Sequence, residues 1–140
     1  MLFRLPALVM FALASALAFP ASAQDAATHG LSAPEIERLD GKYFHDANAR
    51  LTPPIRKLLK ARYKEFNEYM RVQIPIEVTD GIAHCSGMQA HSGGRNAAFA
   101  FLDRSGKLLV VLKTGEKFEQ FGARELASLP SVSKTLKTYD

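Results

Sequence analysis

The chain has 140 residues, 47% of them hydrophobic and 23% charged, with a formal net charge of +4 at pH 7. This length suffices for one domain with a modest core and excludes two independent cores. The mild positive charge argues neither for nor against a nucleic-acid partner.

The first 23 residues have the features of a secretory signal peptide. Arg4 supplies a positive charge, residues 5–19 are almost wholly apolar, and Pro20 ends this run. Residues 21–23 form a small-residue cleavage site, so we expect cleavage after Ala23 and a mature chain that begins at Gln24. The apolar run is too short for a membrane span. We therefore expect a periplasmic, exported protein with neither a membrane nor a nucleic-acid partner.

A single domain is expected over residues 32–140, preceded by a disordered lead-in at residues 24–31, which are small and polar. Ser32 and Glu35 have the spacing of a capping box, with a proline between them in the first helical turn. They predict a short helix that ends near Leu39.

A longer amphipathic helix is predicted over residues 53–70. Thr52 can cap its N-terminus, and Pro53 and Pro54 fit a first turn, where their missing N–H groups would be unpaired in any case. Apolar side chains then recur at helical spacing, namely Ile55, Leu58, Leu59, Tyr63, Phe66 and Met70.

An antiparallel series of strands follows. Residues 72–79 alternate between apolar and polar, Pro75 among them indicates an edge strand, and Asp80-Gly81 is typical of a two-residue hairpin turn. The other predicted strands are residues 82–85, 96–102, 107–113 and, unless it begins the helical C-terminus, 116–121. Weak helical segments at 123–128 and 132–138 end the chain. The predicted fold is α+β, a mainly antiparallel sheet of about five strands with helices packed on one face.

The single cysteine, Cys85, cannot form an internal disulfide, so it is free, buried, metal-bound or intermolecular. Together with His84 and His91 it suggests a zinc or copper site. However, His84 and Cys85 are adjacent on a strand and point to opposite faces, which leaves only two ligands. We expect no metal and no cofactor, and the absence of familiar catalytic motifs predicts a protein that is not an enzyme.

The candidate partner-binding element is the connection between the second and third strands. It is polar, small and glycine-rich, and His91 near its tip is the candidate key contact, because loops on a rigid scaffold often carry function. The alternative is a solvent-facing loop tip with no role. The candidate loop residues are Cys85, Ser86, Gly87, Met88, Gln89, Ala90, His91, Ser92, Gly93 and Gly94.

From Leu51 to the C-terminus, the chain resembles the Ivy family, the periplasmic inhibitors of vertebrate lysozyme. The resemblance is carried by the loop and the strand that follows it, up to Phe101. In the family the loop reads cysteine, short spacer, histidine, one residue, second cysteine, glycine. Cys85 then matches the first cysteine, His91 the histidine and Gly94 the glycine.

The resemblance implies that the loop enters the cleft of a vertebrate c-type lysozyme and that the histidine binds the catalytic carboxylates. Here Gly93 replaces the second cysteine, so the disulfide that would order the loop is missing, and the spacer is longer. The mildly basic chain also lacks long-range attraction to a basic lysozyme. Two alternatives remain: a periplasmic metal- or ligand-binding protein that uses Cys85 and a histidine, and an envelope interaction protein with no lysozyme partner.

Overall fold

The computed structural model describes residues 28–140. The predicted signal peptide and most of the predicted lead-in therefore lie outside the described residues. Within the described part of the chain, no helix has both the length and the apolar character needed to span a membrane.

A five-stranded antiparallel sheet forms the centre of the domain, and its strand order follows the chain. Each strand pairs with the next one through a hairpin. The α+β class and the antiparallel arrangement are confirmed, and the segment predicted at 116–121 forms the fifth strand, one residue later than predicted at each end. The strands are β1 Val72–Thr79, β2 Ile82–Met88, β3 Asn96–Asp103, β4 Leu108–Thr114 and β5 Lys117–Gly122.

Pro75 lies in an edge strand, as predicted, and the pairing of β1 with β2 shifts register between Ile74 and Glu77. Part of this edge is covered by the preceding chain. The Ile76 N–H donates to the Lys42 carbonyl at 2.7 Å, and the Gly41 N–H donates to the Ile76 carbonyl at 2.8 Å. This pairing satisfies edge groups that would otherwise be open to another strand.

The helical region before the sheet differs from the predicted helix over residues 53–70. A short α1 (Ala33–Glu37) agrees with the capping-box prediction, but α2 (Asn48–Leu59) begins before Thr52 and α3 (Tyr63–Tyr69) is separate. Extending α2 toward the N-terminus places Leu51 in the core with no exposed surface.

Pro53 and Pro54 consequently lie inside α2 rather than in its first turn. The carbonyls left without helical donors belong to Ala49 and Arg50, which are exposed and open to water. Lys60, with a left-handed φ of 53°, ends α2 and begins a 3₁₀ turn before α3.

Helices cover both faces of the sheet, so the prediction of cover on one face is wrong. One face packs on α1, α2 and α3. The other packs on a 3₁₀ turn (Arg124–Ser128) and on α4 (Pro130–Lys137), through Leu126 and Val132. The physical reason is that β3 and β4 are buried on both sides, so that Phe99 and Phe101 also require apolar cover.

Residues 28–31 are ordered, in contrast to the predicted disordered lead-in. Thr28 forms a β-bridge with Lys107, and His29 is buried. The His29 Nδ1 accepts from the Leu31 N–H at 3.0 Å, so its Nε2 carries the proton and donates to the Asp103 carbonyl at 2.9 Å. Burial lowers the pKa of His29. These contacts fasten the start of the described chain to the β3–β4 turn.

Candidate functional site

The connection between β2 and β3 is shorter than predicted, because β2 continues to Met88. Ser86, Gly87 and Met88 are paired strand residues and belong to the sheet. A Cβ on Gly87 would lie 2.9 Å from the Met70 Cα, so glycine permits the close approach of the chain after α3. The loop itself is residues 89–95, which we call the tip loop.

Cys85 lies in the sheet at the core and has no exposed surface. It pairs with Ala100 and faces the core under the N-terminal helices, whereas the neighbouring His84 packs edge-on against Phe101 on the opposite face. Burial raises the pKa of the Cys85 thiol to about 12. Cys85 is therefore a neutral core residue that cannot touch a partner, which corrects its inclusion in the predicted loop.

The structure gives no support to a metal site at Cys85. Across residues 28–140, no group of three or more His, Cys, Asp or Glu side chains is placed to hold a metal ion. A neutral, buried thiol is also a poor ligand, because metals bind the thiolate. His84 lies on the opposite face of the sheet from Cys85. His91 lies in the tip loop, beyond the end of β2.

His91 lies at the tip of the hairpin and is exposed. Its φ of 61° places it in the left-handed region, which is uncommon for a residue other than glycine, and Gly93 and Gly94 follow with φ of 61° and 81°. The imidazole makes no hydrogen bond, ion pair or ring contact with the described part of the chain. The tip loop therefore presents an unengaged imidazole on a sharply turned backbone.

Hydrogen bonds hold the tip loop in place of a disulfide. The Gln89 N–H donates to the Asn96 carbonyl at 2.9 Å, and the Asn96 Nδ2 donates to the Gln89 Oε1 at 2.7 Å. The Gln89 carbonyl accepts the Ser92 N–H at 3.3 Å and the Ser92 Oγ at 2.9 Å. The loop is therefore constrained internally although the family disulfide is missing.

The tip loop is also tied to the β4–β5 turn. The Gly115 N–H donates to the Asn96 Oδ1 at 3.2 Å. The Lys113 ammonium, buried and above the Phe118 ring, donates to the Gly115 carbonyl at 2.6 Å and to the Arg95 carbonyl at 3.3 Å. Two separate side chains thus join the same two segments. We call the four residues Gln89, Ser92, Asn96 and Lys113 the polar clamp.

A groove of about 550 Å³ runs between the tip loop and the β4–β5 turn. His91 and Arg95 supply N–H donors to it, Ser92 and Thr114 supply hydroxyls, and none of its lining residues is a carboxylate. Such a set suits carboxylate or carbonyl acceptors on a partner. The lining residues are Gln89, Ala90, His91, Ser92, Arg95, Asn96, Thr114 and Gly115.

Four of these lining residues lie outside the predicted loop: Arg95, Asn96, Thr114 and Gly115. Sequence spacing alone does not bring them together, because the pairing of Asn96 with Thr114 places the start of β3 beside the end of β4. A signal was present in Lys113, a charged residue that directly follows the apolar run of β4 and has to find partners near the sheet end.

Cys85 is also too far from the tip loop to form a disulfide with residue 93. Gln89 lies four positions after Cys85 along extended chain, which is about 13 Å at about 3.3 Å per residue. A disulfide needs Cα atoms within about 7 Å. Within residues 28–140, hydrogen bonds close this loop in place of a disulfide: those of the polar clamp and the backbone bond from the Arg95 N–H to the Ser92 carbonyl.

Comparison with known proteins agrees with the resemblance noted in the sequence. A family model described as inhibitor of vertebrate lysozyme (Ivy) matches residues 50–138, a stretch that contains the whole sheet, the tip loop and the polar clamp. No curated protein and no solved structure matches the chain. The chain belongs to the Ivy family, the inhibitors of vertebrate lysozyme.

Proposed function

We propose that this protein is a periplasmic inhibitor of vertebrate c-type lysozyme that inserts the tip loop into the active-site cleft. Family membership supports the role of lysozyme inhibitor. The observation that carries the insertion mechanism is the exposed, unengaged His91 at the tip of a loop that the polar clamp holds in shape.

The chemistry of the cleft favours such a contact. Glycosidases of this kind work with two carboxyl groups that flank the scissile bond. An imidazole N–H can donate to one of them, and a charged acceptor makes that hydrogen bond stronger than a neutral one. The groove beside His91 is lined by no carboxylate; Glu116 and Asp140 line a neighbouring groove.

Pre-organisation of the loop supports tight binding. A loop that is ordered only in the complex loses conformational entropy on binding, and this cost weakens its affinity. In this chain, backbone and side-chain hydrogen bonds close the tip loop before any partner arrives. The loss of the family disulfide at Gly93 is thereby offset within the folded domain.

The proposal also includes export of the chain to the periplasm. The signal peptide would be cleaved after Ala23, and the mature chain from Gln24 would fold as one domain in the periplasm, where an incoming lysozyme reaches the cell wall. Burial of the lone Cys85 suits this compartment, because an inaccessible thiol does not form mixed disulfides there. In this proposal the protein has no catalytic activity and needs no cofactor.

Titration of lysozyme activity on cell-wall substrate tests the proposal. Wild type and His91→Ala should be compared, with His45→Ala as the matched control, because His45 is also exposed but does not line the groove. Loss of one charge-assisted hydrogen bond should weaken inhibition by about one to two decades in His91→Ala. The control should inhibit as wild type does.

The two parts of the proposal fail in different ways. If wild type at micromolar excess inhibits none of several vertebrate lysozymes, the inhibitor function is wrong. If it inhibits strongly and His91→Ala inhibits equally well, the function stands and insertion through His91 is wrong.

A further inference from the structure

An arginine lies in the same groove as His91. The Arg95 guanidinium is exposed and makes no hydrogen bond, ion pair or ring contact with residues 28–140. Some arginines of the domain are engaged: Arg50 binds Glu35, and Arg62 binds Glu119 and Glu65. Arg124 is unpaired within residues 28–140 like Arg95, but Arg124 does not line the groove. Arg95 is therefore a full positive charge without a partner at the candidate site.

The backbone of Arg95 is fixed although its side chain is free. Its N–H donates to the Ser92 carbonyl at 3.2 Å, and its carbonyl accepts from the Lys113 ammonium at 3.3 Å. The side chain thus projects from a constrained point in the loop. Glu116 and Asp140 line a neighbouring groove with Arg95, but neither forms an ion pair with it.

We propose that Arg95 is a second partner contact, which pairs with a catalytic carboxylate of the bound lysozyme beside the one that His91 contacts. This inference rests on the proposed insertion of the tip loop. The two carboxyl groups of a retaining glycosidase lie about 5–5.5 Å apart, close enough for neighbouring residues of one loop to reach both.

Electrostatics gives the reason for a second contact. A plug that removes water from both carboxylates leaves a buried negative charge unless a cation accompanies it, and an unpaired buried charge is strongly unfavourable. An imidazole ring offers one N–H to an acceptor from each ring nitrogen that carries a proton. A guanidinium is always charged and can bind a carboxylate through two parallel N–H groups.

Pairing of Arg95 with a lysozyme carboxylate would also explain how this chain and a lysozyme of like net charge bind each other. The chain carries a small positive excess, which disfavours long-range attraction to a basic lysozyme. Arg95 places one full positive charge beside His91, at the end of the domain that would meet the acidic floor of the cleft. The short-range pairing then outweighs the weak long-range repulsion, which salt screens.

Calorimetric titration of the mature protein with a vertebrate c-type lysozyme tests Arg95. Arg95→Gln should bind about 10- to 100-fold more weakly than wild type, because a hydrogen-bonded charge is lost at a desolvated contact. Arg95→Lys should recover part of the loss, because it keeps the charge but not the paired N–H geometry. The matched control is Arg124→Gln, since Arg124 is exposed at the opposite end of the sheet, after Gly122.

Lysozyme variants locate the partner of Arg95. Each catalytic carboxyl is replaced in turn by its amide, and both Arg95→Gln and wild type are titrated against each variant. Against the amide that removes the partner, the ratio of the two dissociation constants should fall to near one. His91→Ala measured in the same way should couple to the other carboxyl.

Three outcomes would overturn the inference. In the first, Arg95→Gln binds lysozyme as tightly as Arg124→Gln does. In the second, the loss of affinity in Arg95→Gln is the same against both amide variants as against unmodified lysozyme. In these two cases inhibition through His91 stands. In the third, wild type binds no lysozyme, and the proposed function and this inference fall together. Because Arg95 is exposed, thermal unfolding of Arg95→Gln should match wild type, so a weaker complex reports the contact and not the fold.

Discussion

The polar clamp predicts that one half-buried amide controls the order of the tip loop. Asn96→Ala removes the bond from Asn96 Nδ2 to Gln89 Oε1 at 2.7 Å and the bond from the Gly115 N–H to Asn96 Oδ1 at 3.2 Å. It leaves the backbone bond between Gln89 and Asn96 in place. At about 0.5–1.5 kcal/mol for each bond, the tip loop and the β4–β5 turn lose about 1–3 kcal/mol of local stability.

This loss should appear as local opening and as weaker binding. An opening free energy lower by that amount speeds hydrogen exchange of the tip-loop amides by about 5- to 150-fold. Part of the same energy is then required to order the loop in the complex, so inhibition of lysozyme should weaken by about one decade. The midpoint of global unfolding should change less, because the core of the sheet is untouched.

Lys113→Met provides an independent test of the same clamp. It removes the ammonium that binds the Arg95 and Gly115 carbonyls and keeps an apolar chain against Phe118. Replacement of a buried charge by a hydrophobe of similar volume often costs little global stability. We therefore expect faster exchange in the tip loop with only a small change in the unfolding midpoint.

Hydrogen exchange followed by mass spectrometry, thermal unfolding and lysozyme titration measure these effects. Asn67→Ala is the control, because Asn67 is exposed on α3 and lines no part of the groove. The clamp is refuted if Asn96→Ala and Lys113→Met exchange at the wild-type rate in residues 89–96 and inhibit as wild type does.

Two further predictions concern Gly93 and His84. Gly93→Cys should leave both thiols free in a thiol titration of the unfolded, unreduced protein, because Cys85 lies four positions before the first residue of the tip loop, along extended strand. A disulfide between Cys85 and the thiol introduced at position 93 would contradict the register of β2. For the same reason, a thiol reductant should leave wild-type inhibition unchanged. Burial lowers the pKa of His84, against the opposing charges of Glu77 and Asp80. The folded state then favours the neutral imidazole, so stability is fully present above the unfolded pKa of about 6.5 and is lost as the pH falls below it. Urea unfolding at pH 7.5 and pH 5.5 should show a smaller loss in His84→Gln, and an identical loss in both proteins would rule out His84 as a source.

The sheet could be predicted from the sequence because its signals are local. Alternation over residues 72–79, the Asp80-Gly81 turn and the apolar run in β4 each act within a few neighbours, and all three were interpreted correctly. The start of α2 could not be predicted in this way, because it is decided by burial of Leu51 in the core. A tertiary contact there overrides the local preference of proline for a first turn.

Some features of the candidate site could likewise be predicted from local sequence, and others depend on tertiary contacts. The exposure of His91 followed from the small, polar composition around it, whereas the strand character of residues 86–88 comes from their pairing with β1 and β3. The roles of Asn96 and Lys113 arise only once β3 and β4 are paired. Residues whose function depends on register are not visible in spacing along one chain.

A polar clamp and a disulfide order a loop by different physical means. A disulfide acts chiefly on the unfolded chain, by about 3 kcal/mol for a loop of 15 residues, and it constrains only the segment that it closes. The bonds of Asn96 and Lys113 act in the folded state and join the tip loop to a second segment, at Gly115. They thereby fix the position of Arg95 and of the β4–β5 turn relative to His91. Exchange of a covalent link for such bonds therefore holds a second segment of the chain, and not only the loop itself, in a fixed position beside His91.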